Sequence, residues 1–294
     1  MILVDYNQVF LSAIFAQTRE GNEIQEDLIR HTVLSCLLAY KRNFAKDFGD
    51  IVICADSNTG NYWRKDIYPY YKACRKKSRD ASGLDWHLIF DSLGKIREEL
   101  RDNLPYKVII VDQAEADDII STLTKYSQTH NLKINGVFDD EPEPVLILSS
   151  DRDFIQLHIY ENVKQFSPVQ RKFLKENSPD IYLKDKILHG DPGDGIPNVL
   201  SDSDTLVNPD KRQRPLRAKV LKNLMETDES LYEPEMKLNF ERNKRLINLI
   251  EYIPEEIEQK IIECYESQKP SKKNMLKYFV KNNLRYLMED LQNF

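Results

Sequence analysis

Residues 146–158 read LILSSDRDFIQLH. An apolar run stops at two serines, and Asp151 and Asp153 follow with one arginine between them. Continuous Val/Ile/Leu character without polar alternation is the mark of a strand buried on both faces of a parallel sheet. Three other runs share it: ILV at 2–4, IVICA at 51–55 and KVIIVD at 107–112. Helical periodicity separates them at about 24–46, 88–102 and 114–129, and VKQFS at 163–167 reads as a further short strand. Strands alternating with helices predict an α/β fold with a mostly parallel central sheet.

The character changes after residue 183. KDKILHGDPGDGIPN combines a helix end with a Pro/Gly-rich turn, and the segments at 216–227, 230–251, 254–267 and 271–293 read as helices. The expected division is an α/β domain over 1–183 and a helical domain over 184–294. The tract SDSDTLVNPDKRQRP at 201–215 reads as a loop, open to motion.

An acid follows each buried run. Asp5 follows the first, Asp56 the second, and Asp151 with Asp153 the fourth. The third leads through Asp112 into QAEADD, with Glu115, Asp117 and Asp118 at a helix start. An Asp after a strand is commonly a helix cap or turn residue, and that reading is preferred for Asp112. Asp118 reads as a first-turn acid favoured by the helix dipole. Glu115 and Asp117, two apart, share a face only from an irregular first turn. In a parallel sheet all strand ends lie on one edge, where ligands bind. Asp191 and Asp194 of DPGD join that edge if the helical domain folds back over it.

Two like charges ~4 Å apart repel by roughly 4 kcal/mol at an effective dielectric of ~20. Such a cluster needs protons or cations. Oxygen-only donors without His or Cys point to Mg²⁺ or Mn²⁺, and this many carboxylates suit two ions, as in phosphodiester hydrolysis.

The chain of 294 residues has a net charge of -6, which by itself argues against a polyanionic partner. Its distribution argues the other way. RKDIYPYYKACRKKSR at 64–79 holds seven Lys/Arg and one acid, and KRQRPLRAKVLK at 211–222 holds six and none. Tyr62, Trp63, Tyr68, Tyr70 and Tyr71 interleave with the first tract, a pattern suited to phosphate neutralisation and base stacking. The plainer alternative for both tracts is a solvated charged face. Four cysteines, Cys36, Cys54, Cys74 and Cys264, form no C-x-x-C pair, so a reducing, cytoplasmic setting is the default. The apolar N-terminus lacks a basic n-region, and no stretch has the composition of a membrane span.

ILVDYN, CADSNTGNYWRKD, YYKACR, EADD, SSDRDF and GDPGD, in this order, resemble the flap endonuclease and 5′-nuclease superfamily, nearest its branch of T-even-type phage ribonucleases H. The resemblance implies a PIN-like nuclease domain, a helical arch at about 60–85, and a C-terminal helical domain with a helix-turn-helix-like DNA-binding region. It implies Mg²⁺-dependent 5′-to-3′ cleavage of flaps, RNA primers and duplex 5′ ends in replication or repair, with Mn²⁺ able to substitute. Carried over motif by motif, Asp5, Asp56, Asp117 and Asp151 correspond to ligands of one ion, and Glu115, paired with Asp117, is expected among the metal-site acids. Asp153, Asp191 and Asp194 correspond to the second-ion group. Lys72 and Arg75 match cations at the scissile phosphate, and Tyr71 an aromatic that stacks on the end base. Arg64, Lys65, Lys76, Lys77 and Arg79 are the remaining expected nucleic-acid contacts of the first tract. Lys211, Arg212, Arg214, Arg217, Lys219 and Lys222 are those of the second.

The implied partners are DNA and RNA–DNA duplexes, with single-strand-binding protein and sliding clamp by precedent. The implied setting is a monomer in the cytoplasm of an infected bacterium. One departure stands out. Gly195 takes a place usually held by Asn, and Asn198 one usually held by Gly, which argues against a monovalent-ion hairpin there. The rival readings are a non-catalytic nucleic-acid binder on the same fold, a PIN-type single-strand ribonuclease, and a phosphotransfer or signalling domain.

Overall fold

The structure is a computed structural model that describes residues 1–19, 23–80, 82–129, 133–134 and 141–294, without the side chains of 19, 76–78, 133, 134 and 141. Strands β1 (Ile2–Asp5), β2 (Ile51–Cys54), β3 (Lys107–Ile109), β6 (Val145–Leu148), β7 (Val163–Ser167) and β8 (Lys172–Leu174) form one sheet in the order β3-β2-β1-β6-β7-β8. All its pairings are parallel except β7 with β8. A separate antiparallel pair joins β4 (Lys133–Ile134) and β5 (Glu141–Pro142).

The strand order reverses between β1 and β6. From β1 the chain proceeds outward through β2 and β3, then returns to β1's other side. The crevice at such a switch point is where ligands of open α/β sheets bind. Asp5 ends β1, and Asp151 lies just beyond β6.

Side chains alternate across the strands, and each face has its own core. Ile2, Val4, Ile51, Ile53, Leu146 and Leu148 pack on one side beneath α1 (Tyr6–Arg19), α2 (Glu26–Phe48) and α5 (Trp86–Asn103). Leu3, Val52, Cys54, Val145 and Ile147 pack on the other beneath α6 (Ala116–Thr129) and a 3-10 helix at Arg152–Ile159. The apolar stretch after Asp5, which showed no separate helical signal in sequence, is α1. Its Val9, Phe10 and Ile14 fall on the buried face at helical spacing.

Two short helices, α3 (Trp63–Ile67) and α4 (Arg75–Asp80), occupy the expected arch. Within 184–294, residues up to Ile247 form a third core with the arch base. It unites Tyr68 and Tyr71 with residues of α7 (Pro179–His189), α8 (Ala218–Glu226) and α9 (Pro234–Ile247). The chain then returns to the sheet. Helix α10 (Glu255–Ser267) covers the α6 side, while α11 (Met275–Lys281), α12 (Arg285–Met288) and Phe294 close the opposite core.

The 201–215 tract, read as a loop open to motion, has turns and no helix or strand, and its two ends are bonded together. Ser201 Oγ accepts from Arg214 N–H at 2.9 Å, and Gln213 Oε1 accepts from Asn198 N–H at 2.8 Å. Asn198 Nδ2 in turn donates to the Arg214 carbonyl at 2.8 Å. No helix among the described residues is long and apolar enough to cross a membrane.

Candidate active site

The two serines that end β6 organise the acids on either side of them. Ser149 Oγ donates to Asp5 Oδ2 at 2.8 Å and accepts from Asp151 N–H at 3.1 Å, tying β1 to β6 across the switch point. Asp151 caps the 3-10 helix by accepting from Asp153 N–H at 2.9 Å. Ser150 Oγ bonds Ser167 Oγ of β7 at 2.7 Å. Asp56 accepts from Asn7 Nδ2 at 2.7 Å and from Ala116 N–H at 2.8 Å, so its carboxylate holds the start of α6 against β2.

Irregular backbone resolves the Glu115/Asp117 spacing. Gln113 has a φ of 64°, and α6 begins only at Ala116, so Glu115 lies outside the helix. Asp118 Oδ2 caps that entry by accepting from Glu115 N–H at 2.9 Å. Glu115 turns toward the arch base, where Lys72, Tyr71 Oη at 2.8 Å and Arg64 at 2.9 Å all donate to it. Asp117 lies within electrostatic reach of Asp151 and Asp5. Asp112 belongs to a turn: its Oδ1 accepts from Ser57 Oγ at 3.2 Å and Thr59 Oγ1 at 3.1 Å.

The acids divide by their counter-charges. Asp194 pairs with Arg75 and lies 3.6 Å from Lys72 Nζ. Lys186 of α7 pairs with Asp153 and lies 3.1 Å from Asp191. Burial alone would raise the Asp194 carboxyl, but Lys72, Arg75 and the Tyr71 hydroxyl hold it below the usual range. Asp5, Asp117 and Asp151 go the other way. Burial, then the neighbouring Asp56 and Asp151 charges, push Asp5 up to about 7. Burial and the charges of Asp151 and Asp5 push Asp117 well up. Burial raises Asp151 too, with Asp194 and Asp191 adding to it against Lys186.

Among the described residues, no three Asp, Glu, His or Cys side chains stand as a ready-made ion cage. The donor set nevertheless fits hard divalent cations. It is all oxygen, and its central members, buried Asp5 and half-buried Asp117 and Asp151, are carboxyls that destabilise one another when ionised.

Two expected nucleic-acid contacts are overturned. Arg64 is 2% exposed: it grips Asp118 through both ends of its guanidinium at 2.8 and 3.0 Å and donates from Nε to the Leu246 carbonyl at 2.9 Å. Trp63 Nε1 donates to the same Asp118 at 3.1 Å. A composition-based reading missed this because Asp118, 54 positions away, supplies the partner. Tyr71 is 3% exposed and sits in the third core, so its ring is not free to stack on a base.

Lys65 Nζ donates to the Gly60 carbonyl at 2.6 Å, and Lys211 is tied to Asp202 and Asp204. Arg79, Arg212, Arg214, Arg217, Lys219 and Lys222 are exposed. The side chains of Lys76 and Lys77 lie outside the described residues. Lys186 carried no motif signal; only its position one helical turn before the GDPGD motif marked it.

The sequence resembles known nucleases over its whole length. Residues 1–186 match the family "5′-3′ exonuclease, N-terminal resolvase-like domain", and residues 177–294 match "T4 RNase H, C terminal". Ribonuclease H of Enterobacteria phage T4 is 33% identical over 99% of this chain and 95% of its own. The chain belongs to the 5′-3′ exonuclease family. A 5′-3′ exonuclease of Streptomyces coelicolor is 28% identical over 51% of this chain and 50% of its own. The fold is shared with the D15 protein of bacteriophage T5, co-crystallized with metal ions, at a TM-score of 0.61, 16% identity and 90% coverage of this chain and 98% of that one. A D15 flap endonuclease complex with DNA and metal ions aligns at a TM-score of 0.59 with 17% identity, over 90% of this chain and 99% of that one. As a member of this family the chain is a 5′ nuclease, with a PIN-like domain and a helical C-terminal region.

Proposed function

We propose that this nuclease cuts phosphodiesters at 5′ flaps, RNA primers and duplex 5′ ends during DNA replication or repair, with two divalent ions, Mg²⁺ or in its place Mn²⁺. The observation that carries this reading is the meeting of carboxylates from β1, β2, α6 and the end of β6 at the switch point, with Lys72 and Arg75 beside them. Asp5, Asp56, Asp117 and Asp151 would hold one ion. Asp153, Asp191 and Asp194 would hold the other, and Glu115 would anchor the arch base beside Asp117. The bound ions supply the Lewis acidity that phosphodiester hydrolysis requires.

The chain's own groups do the rest. Lys72 is kept charged despite burial by Glu115 and Asp194, so it meets the phosphate as a cation. Lys72 and Arg75 exchange their carboxylate partners for phosphate oxygens and stabilise charge that develops there. Exposed Arg212, Arg214, Arg217 and Lys219 neutralise the duplex backbone behind the cut. The relationship to a phage enzyme supports action in the infected bacterial cytoplasm, where a monomer would meet clamp and single-strand-binding proteins.

The test is a product map on matched 5′-flap, nicked and RNA-primed duplexes, with Mg²⁺, with Mn²⁺ and with chelator. Ion-dependent products released from the 5′ side support the reading. Cleavage confined to unpaired RNA would replace it with the single-strand ribonuclease alternative.

A further inference from the structure

Strand β7 departs from the apolar pattern of its neighbours. Its buried positions are Val163, Gln165 and Ser167, and the two polar ones are fully enclosed. A buried amide destabilises a protein unless its donors and acceptor are met. Hydrophobic residues at these positions would have sufficed for the sheet, so the polar pair asks for another account.

The account lies at the end of β6. In-register pairing of β6 with β7 stops at Leu148 with Phe166. One more backbone bond follows, from Ser149 N–H to the Phe166 carbonyl at 3.2 Å. The chain then leaves the sheet in the Ser149–Asp151 turn, and side chains of β7 take over from its backbone. Gln165 Nε2 donates to the Ser149 carbonyl at 3.0 Å and to the Asp151 carbonyl at 2.5 Å. An amide nitrogen carries two hydrogens, one for each of these carbonyls. Ser167 Oγ meets Ser150 Oγ in the middle of the same turn.

The orientation of the amide is fixed from behind. The Gln165 side chain meets the buried side of the His158 ring and raises its pKa against the lowering effect of burial, as an acceptor oxygen does. Neither Gln165 Oε1 nor His158 Nε2, both buried, has any other partner. Turned the other way, the amide would set its oxygen against two carbonyl oxygens.

The turn so held carries the acids. Ser149 Oγ donates to Asp5, and the Asp151 carboxylate leaves from the residue whose carbonyl Gln165 grips. We propose that Gln165 is a positioning residue for the divalent-ion site: its two donors set the Ser149–Asp151 turn, and through it the placing of the Asp5 and Asp151 carboxylates. The assignment rests on the divalent-ion reading above. It adds a residue that touches neither ion nor substrate.

The test reads ion binding without catalysis. The full chain is titrated with Mn²⁺ in the absence of nucleic acid, and free ion is followed by electron paramagnetic resonance. Gln165→Met keeps the length of the side chain and removes both donors, so Mn²⁺ affinity should fall about 10-fold or more. Gln165→Asn keeps both donors on a stem one carbon shorter, so it should recover part of that loss. It also carries the test if the methionine variant fails to fold, by binding Mn²⁺ more weakly than the wild type. Val163→Ala removes core contacts from the same strand without touching the turn. It should lower the melting temperature and leave Mn²⁺ affinity unchanged. In cleavage of a 5′-flap duplex at limiting Mg²⁺, Gln165→Met should lower kcat and leave KM for the duplex as it was.

Wild-type Mn²⁺ affinity in Gln165→Met overturns the assignment, as does wild-type affinity in Gln165→Asn if that variant alone folds. Equal weakening in Val163→Ala overturns it too, since Gln165 would then act only through stability. A wild type that binds no Mn²⁺ defeats the divalent-ion reading itself, and this assignment with it.

Discussion

The Lys72 amide donates to the Asp194 carbonyl at 2.7 Å, and the same two side chains face each other at 3.6 Å. Lys72 adopts a φ of 58°, unusual for a non-glycine residue, to make both contacts at once. The arch base and the GDPGD turn are therefore one joint, bonded through backbone as well as charge.

Gly195 completes that joint. Its φ is 77°, and a Cβ would stand 2.9 Å from the Tyr70 carbonyl oxygen. Gly195→Ala should cost about 1–2 kcal/mol from the left-handed backbone alone, with the clash added. Urea unfolding should show the loss, and single-turnover cleavage should slow as Lys72 shifts. Unchanged values in both assays would mean that the joint yields freely.

Asp151→Asn should lower divalent-dependent cleavage by at least about 10²-fold while sparing DNA binding. It should also make the metal-free protein more stable. Asn still caps the 3-10 helix, and one of the mutually repelling buried charges is gone. Thermal denaturation in chelator reads the second effect. A lower melting temperature would show that the Asp151 charge does not destabilise the metal-free fold.

Lys186 supplies positive charge to Asp153 and Asp191. Replacing it with Met leaves both acids to a divalent ion. The Mg²⁺ midpoint for activity should then fall, because a competing cation has been removed, and stability without metal should drop. A midpoint that rises would instead give Lys186 a part in holding substrate.

Asp5 has a carboxyl raised from 3.8 to about 7. The native state keeps this proton where the unfolded chain has lost it. The group's stabilising contribution is whole below pH 3.8 and is lost as pH rises through about 7. Metal-free protein should therefore melt lower at pH 8 than at pH 6, by on the order of 3–6 °C. Mg²⁺ should restore more at pH 8 than at pH 6. Asp194, held low by Lys72 and Arg75, acts oppositely, and its contribution is lost only as pH falls below the usual carboxylate range. A flat profile between pH 6 and 8 contradicts the assignment, as would a slope that survives Asp5→Asn.

Arg64→Met should cost about 3–5 kcal/mol, since it strands the buried Asp118. Adding Asp118→Leu should recover part of the loss. DNA affinity per folded molecule should stay within about twofold in the double variant, because the guanidinium reaches no surface. A selective loss of affinity at normal stability would restore Arg64 to the substrate interface.

The strands and their acids were legible because they are local. Unbroken apolar runs ending in Asp admit few other readings, and β1, β2 and β6 lie within a residue or two of the expected bounds. Family membership followed from six motifs in order. What failed was partner choice. Arg64 and Tyr71 sit in a basic, aromatic tract that looks solvent-facing until Asp118, Glu115 and Leu246 arrive from far along the chain. Lys186 was missed for the complementary reason. It is an ordinary cation on a helix, and only tertiary structure puts it against two acids. Helix α1 went unread because its Tyr, Phe and Gln content gives a weak amphipathic signal.

Asp5 pairs in register with Cys54 of β2, and its neighbour Val4 pairs with Leu148 of β6. Successive side chains on a strand point to opposite faces. Losing or gaining one residue between Ile2 and Val4 would therefore exchange the two hydrophobic cores and carry the carboxylate out of reach of Ser149. The strand has little freedom there: the physics tolerates a change in the identity of these residues, but not in their number.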